Sequence, residues 1–283
     1  MPILRARACL FLAAALASSQ ALAATPATDL IAGRRVESLT IRHPADKACV
    51  VFENGSRATI DGWHKVIEAL PADVCVFAYN RPGYGNSEGV PGARDGATIV
   101  AELRRILQQK GVAPPYVLVG HSLGGLYQQL FARAYPQDVA GLVLVDALYP
   151  RTIRKPEDFP LLTRAARHLF FSASVNREID AIHRTGEQMM ALPPFDDRVK
   201  PVVQLINRPT GATAVGVDFG VTVDTPETWA FVRGLYPQGR KVILDSDHQM
   251  QKESPAQVAA AIRDVIALLP GGGTDAGAGP GRP

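Results

Sequence analysis

Cysteine is scarce in this chain, with three residues in 283. Cys9 falls in an N-terminal leader pattern, and neither Cys49 nor Cys75 stands in a C-x-x-C pair or at metal-ligand spacing. That excludes a metal centre built on cysteine. Long apolar runs are also missing. The longest near the start, residues 8–17, is too short for a bilayer, which takes about 20 residues. A surplus of one charge is missing too: 30 Lys and Arg stand against 27 Asp and Glu, for a net +3, with no long basic run. Nothing in the charge pattern calls for a nucleic-acid partner. There is no internal repeat and no long linker.

What is present begins with a leader. Arg5 and Arg7, the apolar run 8–17 and Ala21-Leu22-Ala23 form the charged start, hydrophobic stretch and small-residue site of a secretory signal peptide. Cleavage after Ala23 is expected, with export to the periplasm or medium and no membrane span afterwards. Loss of Arg5 and Arg7, with no acid lost, takes the net charge from +3 to +1. Residues 271–283 (GGGTDAGAGPGRP) hold no apolar side chain larger than alanine and read as a disordered tail. Residues 24–270 remain, enough for one large domain with its own core.

Within that domain, short apolar runs at Cys49–Phe52, Val74–Tyr79, Tyr116–Val119 and Val139–Val145 read as buried strands, and Val202–Ile206 and Lys241–Leu244 resume the pattern as strands. Val36–Arg42 alternates like a strand. Between them, Trp63–Leu70, Thr98–Gln109, Leu123–Ala134, Pro226–Tyr236 and Pro255–Leu269 carry helical periodicity. Alternating buried strands and helices predict an α/β fold, a mostly parallel central sheet with helices on both faces. Residues from about 150 to 200 break the rhythm. They are helix-like and of mixed charge, with Arg154, Lys155, Arg164 and Arg167 against Glu157, Asp158, Asp196 and Asp197. They read as an insertion over the sheet edge with a solvated surface.

The stretch VLVGHSLGGLYQQLFARAYP, residues 117–136, carries the chemistry. Gly120-His121-Ser122-Leu123-Gly124 is G-x-S-x-G between a strand and a helix. The serine must sit on a sharp, strained turn with its hydroxyl free, and the flanking positions must be small because backbone passes close by. Gly125 adds room, and the positive end of the following helix favours negative charge at Ser122. His121, next in sequence to the serine, is expected to point elsewhere.

Here the chain resembles the α/β-hydrolase superfamily over essentially all of residues 36–269. Two more segments carry the resemblance: Tyr79-Asn80-Arg81-Pro82-Gly83-Tyr84-Gly85-Asn86-Ser87, and Ser246-Asp247-His248 followed by Glu253-Ser254-Pro255. The resemblance implies a sheet of the eight-stranded type with a short helical cap after the sixth strand, which residues 150–200 fit. It implies Ser122 as nucleophile and His248, after the last strand, as base. It also implies an oxyanion hole of backbone N–H groups from Leu123 and Ser56, although Asn54 stands where the family has a histidine. The family's usual loop for the triad acid, after the seventh strand, holds no carboxylate before Asp218. Asp146, at the tip of the sixth strand, is the leading candidate, with Asp218 and Asp224 as alternatives.

The function expected is an exported serine hydrolase that cleaves an ester or similar acyl bond of a small molecule, with no cofactor. Other chemistries on the same fold remain open: peptidase, lactonase, C–C hydrolase or cofactor-free haloperoxidase. A binding protein on this scaffold would be expected to have lost its nucleophile or base, and both are present. Cys49 and Cys75 are expected on neighbouring strands. A bridge is geometrically possible, but the expectation leans to two buried thiols, because side-by-side strand positions suit disulfide torsions poorly.

Overall fold

A computed structural model describes residues 25–43, 47–208, 222–223 and 225–270. The signal-peptide region, the Gly-rich tail, Asp218 and Asp224 lie outside the described residues. The chain opens with strands β1 (Ala27–Ile31), β2 (Arg34–Ile41) and β3 (Cys49–Glu53), then a 3-10 turn leading into α1 (His64–Glu68). Next come β4 (Cys75–Tyr79), α2 (Gly96–Gln109), β5 (Tyr116–His121), α3 (Leu123–Ala134) and β6 (Val139–Val145). Three helices follow, α4 (Leu161–Phe170), α5 (Ala173–Asp180) and α6 (Ile182–Met190). The chain then returns through β7 (Val202–Asn207), α7 (Pro226–Leu235), β8 (Arg240–Leu244), α8 (Met250–Glu253) and α9 (Pro255–Ala267).

The strands form one eight-stranded sheet in the order β1-β2-β4-β3-β5-β6-β7-β8. β1 and β2 pair antiparallel, as do β2 and β4, and the rest is parallel. The expected α/β fold is therefore present. Its inner strands are predominantly apolar because both faces are covered. On β3, Val50 and Phe52 face the layer holding Trp63, Val66, Val258 and Ile262. Val51, between them, faces Leu103, Leu126 and Leu130 of α2 and α3. Each such fully buried side chain contributes about 1.5–3 kcal/mol.

Three features differ from the sequence reading. β1 was not expected: ATDLI is mostly exposed, so it carries no apolar alternation. It is held by pairing with β2 through a two-residue turn in which Ala32 and Gly33 both have positive φ. Cys49 and Cys75 are joined in a disulfide rather than left as thiols. They face each other as the first rung of the β3–β4 ladder with Cα atoms 4.6 Å apart, inside the range a disulfide spans. On the chain-entropy view a loop of this length gains about 3–4 kcal/mol from closure.

The third difference is the surface of residues 150–200. α4 turns its polar side inward, where Arg167 is buried and pairs with Asp180 at 2.6 Å. Its apolar side, Leu161, Leu162, Leu169 and Phe170, is 72–81% exposed. α6 packs on α2 and α3. There the Gly96 N–H donates to Thr185 Oγ1 at 2.9 Å, and a Cβ at Gly96 would stand 2.4 Å from Thr185 Cγ2. Among the described residues no helix is long and apolar enough to cross a membrane.

Candidate active site

β5 runs straight into α3, and Ser122 is the single residue between them. Its backbone sits at φ 52°, ψ −122°, a strained conformation for a non-glycine residue. The turn is tight on every side. A Cβ at Gly120 would lie 2.6 Å from the Gly124 carbonyl oxygen, one at Gly124 would lie 2.4 Å from that of Glu53, and one at Gly125 would lie 2.3 Å from Ala147 Cβ. These are the close backbone and side-chain approaches that G-x-S-x-G-G leaves room for. The turn is held by Ser122 N–H donating to Val145 O (3.2 Å) and by Leu148 N–H donating to Ser122 O (3.0 Å). Ser122 is not an exposed tip, as the motif alone suggested. It is 8% exposed, because the loop at Gly55, the 146–148 turn and His248 close around it.

His248 follows β8 and precedes α8. Its Nε2 lies 3.1 Å from Ser122 Oγ and its Nδ1 lies 2.7 Å from Asp146 Oδ2. An ionised Asp146 can only accept, so Nδ1 carries the proton and Nε2 is free to accept from the serine hydroxyl. Asp146 sits at the end of β6 with φ 40°. Its own N–H donates to Leu205 O at 2.9 Å, and its Oδ1 accepts from Asn207 N–H at 3.2 Å. Both contacts come from β7, so the strand between acid and base holds the carboxylate still. The structure thus brings Ser122, His248 and Asp146 into one chain of hydrogen bonds.

Leu123 is the first residue of α3, directly after the serine. Ser56 lies in the loop after β3, and its neighbour Gly55 is packed so tightly that a Cβ there would stand 3.3 Å from Ser122 Cβ. Asn54, in place of the family's histidine, fixes this loop with its carboxamide. Its Nδ2 donates to Tyr79 O (2.8 Å) and its Oδ1 accepts from Trp63 Nε1–H (2.8 Å). Ser56 Oγ is buried and, among the described residues, has no hydrogen-bond partner. Among the described residues no group of three or more His, Cys, Asp or Glu side chains is placed to hold a metal ion.

His121 was set aside in the sequence reading, yet it belongs to the site. Its ring packs 4.7 Å from that of His248, and its Nε2 lies 2.7 Å from the His248 carbonyl oxygen. That oxygen can only accept, so Nε2 carries the proton and Nδ1 faces the Gln251 carboxamide nitrogen at 3.4 Å. The only signal in the sequence was its place beside Ser122. Burial, with charge on His248 adding to it, pushes the imidazole down to about 3. His121 is therefore neutral at working pH.

A folded pKa of about 3 against an ordinary value near 6.5 means the unfolded chain binds the extra proton between those limits. Stability is then full above pH 6.5 and falls as the pH drops toward 3, by about 1.4 kcal/mol per unit from this group. Urea denaturation at pH 7 and at pH 5 should show that slope in the wild type. His121→Gln, which can still donate to His248 O, should lack that share of it. An unchanged slope in the variant would mean His121 is not the titrating group.

The sequence profile of the alpha/beta hydrolase family matches residues 50–276. Among curated proteins, monoacylglycerol lipase ABHD6 of Mus musculus is 30% identical over 151 residues, 52% of this chain and 43% of that protein. The uncharacterized protein YqjL of Bacillus subtilis is 32% identical over 97 residues, 34% of this chain and 38% of that one. The chain thus spans less than half the length of these curated relatives. Among solved structures, Cfl2 from Burkholderia cenocepacia has a TM-score of 0.63 at 18% identity, over 84% of this chain and 94% of that one. A thermophilic esterase from Thermogutta terrifontis has a TM-score of 0.62 at 18% identity, over 86% and 98%. The likeness to these two is one of fold.

Proposed function

The chain belongs to the alpha/beta hydrolase family, and from that premise we propose that it is an exported serine hydrolase cleaving an ester or similar acyl bond. The observation that carries this reading is the unbroken contact from Ser122 Oγ to His248 Nε2 (3.1 Å) and from His248 Nδ1 to Asp146 Oδ2 (2.7 Å). A serine hydroxyl is a weak nucleophile until a base takes its proton. A histidine needs an acid to hold it in the tautomer that can do so. The N-terminal leader supports export. A monoacylglycerol lipase among the relatives supports an acyl ester as substrate.

The steps follow from the geometry. Ser122 Oγ attacks the carbonyl carbon while its proton passes to His248 Nε2. The carbonyl π-electrons move to oxygen, and the oxyanion is met by the Leu123 N–H at the start of α3 and the Ser56 N–H in the loop after β3. The tetrahedral centre collapses, the alkoxide leaves, and His248 returns the proton to it as alcohol. Water then attacks the acyl-enzyme with His248 again as base, which frees the acid and restores Ser122. One ester and one water give one acid and one alcohol. A nucleophilic serine sets this chemistry apart from the branches of the fold that attack with aspartate.

A fluorophosphonate probe tests the reading on the folded, leader-free protein. It should label the wild type at Ser122 and leave Ser122→Ala unlabelled. A series of p-nitrophenyl esters of rising chain length should then be hydrolysed with one preferred length. Folded wild type that neither labels nor turns over any ester would instead support a binding protein on this scaffold.

A further inference from the structure

Arg81, just after β4, has a side chain with no solvent exposure. Every N–H of its guanidinium finds an acceptor. Nη1 donates to Glu53 Oε1 (2.6 Å) and to Asn54 O (2.6 Å), Nη2 to Gly55 O (3.1 Å) and Glu178 Oε2 (3.0 Å), and Nε to Glu178 Oε1 (3.0 Å). The Tyr79 hydroxyl donates to Glu53 Oε2 and the Tyr84 hydroxyl to Glu178 Oε2, each at 2.7 Å. Burying two carboxylates and one cation costs desolvation that the pairing repays at best, and apolar packing would hold a core as well. What a guanidinium provides that apolar side chains cannot is direction.

The direction is set at the Asn54 and Gly55 carbonyls. Across a planar trans peptide, the Ser56 N–H points opposite to the Gly55 C=O. With that carbonyl drawn to Arg81 on one side of the loop, the N–H turns to the other side. Ser122 and His121 stand close to this loop: a Cβ on Gly55 would meet them at 3.3 and 2.7 Å. The grip also reaches beyond the sheet. Glu178 belongs to α5, and Phe171, which leads into α5, has the Arg57 guanidinium 4.6 Å from its ring centroid. The loop carrying Ser56 is thus tied twice to the helical segment 161–190.

We propose that Arg81 is the positioning residue of the oxyanion site, aiming the Ser56 N–H through the Gly55 carbonyl, and that Glu178 of α5 sets Arg81 in place. The helices above the sheet thereby help to form the site rather than only cover it. This role rests on Ser122 being the nucleophile.

The test uses Arg81→Lys, which keeps the charge and loses the fork, and Glu178→Gln, which keeps the size and loses the charge. Each is compared with wild type and Ser122→Ala for kcat and KM on an activated ester, for inhibition by phenylboronic acid, and for melting temperature. The boronate adduct on Ser122 places an oxygen where the oxyanion forms. In Arg81→Lys, kcat and boronate affinity should fall together by about 10- to 100-fold, with KM within about twofold, because a misaimed donor costs less than a deleted one. Glu178→Gln should show the same pairing at about 3- to 10-fold. Variants that melt earlier but keep wild-type kcat and boronate affinity would overturn the role. If Arg81→Lys does not fold, Glu178→Gln and Tyr84→Phe decide on the same criterion. Absence of Ser122-dependent turnover in the wild type overturns the serine-hydrolase reading, and this role with it. Ser122-dependent turnover with unchanged variants overturns the role of Arg81 alone.

Discussion

Ser122→Ala is expected to lower turnover of an activated ester on the order of 10⁶-fold, with the protein still folded. The size follows from what is lost. Without Oγ there is no covalent path, and His248 Nε2, 3.1 Å away, has no proton to take. What survives is binding and the backbone donors of the oxyanion site, worth on the order of 10³-fold over water. The fold should hold because alanine fits wherever serine does. The contacts that pin the turn, to Val145 O and from Leu148 N–H, belong to the backbone of residue 122. The check is kcat on purified variant beside its melting curve. A variant that melts like wild type yet keeps more than about a hundredth of its turnover would remove Ser122 from the nucleophile's place.

Ser122 could be found from sequence because a sharp strand-to-helix turn needs small residues at fixed offsets. Gly120, Gly124 and Gly125 record that need directly. The inner strands were readable for a similar reason: covering both faces makes β3, β4, β5 and β6 predominantly apolar. β1 was not, since Ala27–Ile31 owes its strand to pairing with β2 and not to an apolar face. His121 shows a different limit. Adjacency to Ser122 argued only that its side chain points elsewhere than the serine hydroxyl. Nothing local says that the other direction ends on the His248 carbonyl, brought there from 127 residues along the chain. The disulfide was misjudged for a different reason: side-by-side strand positions were held to suit disulfide torsions poorly, yet Cys49 and Cys75, directly opposite in the β3–β4 ladder with Cα atoms 4.6 Å apart, are bridged. Arg81 stood in a quoted motif, but its grip on Gly55 and Glu178 spans 26 and 97 residues. Local pattern gives turns and faces, whereas partners across the fold depend on register and packing that no single segment contains.

The candidate acid of the site is where those two kinds of information meet, and Asp146→Asn is its test. Asparagine keeps the shape of the side chain and tolerates the positive φ of 40° at this position. The backbone bond from residue 146 to Leu205 O is untouched, so the fold should be retained. The carboxamide can still accept from Asn207 N–H through its oxygen, which turns its NH₂ group toward His248 Nδ1. A donor facing Nδ1 forces the imidazole proton onto Nε2, and Nε2–H cannot accept from Ser122 Oγ. Turnover should therefore drop on the order of 10⁴-fold, mostly in kcat, with KM little changed. Asp146→Ala should lose activity as severely, because it leaves His248 unaimed. The assay is kcat on one activated ester with the folded fraction measured alongside, and Asp218→Asn and Asp224→Asn run in parallel should stay near wild type. Retention of more than about a tenth of wild-type turnover by folded Asp146→Asn would move the acid off β6 and onto whichever of the other two variants shows the loss.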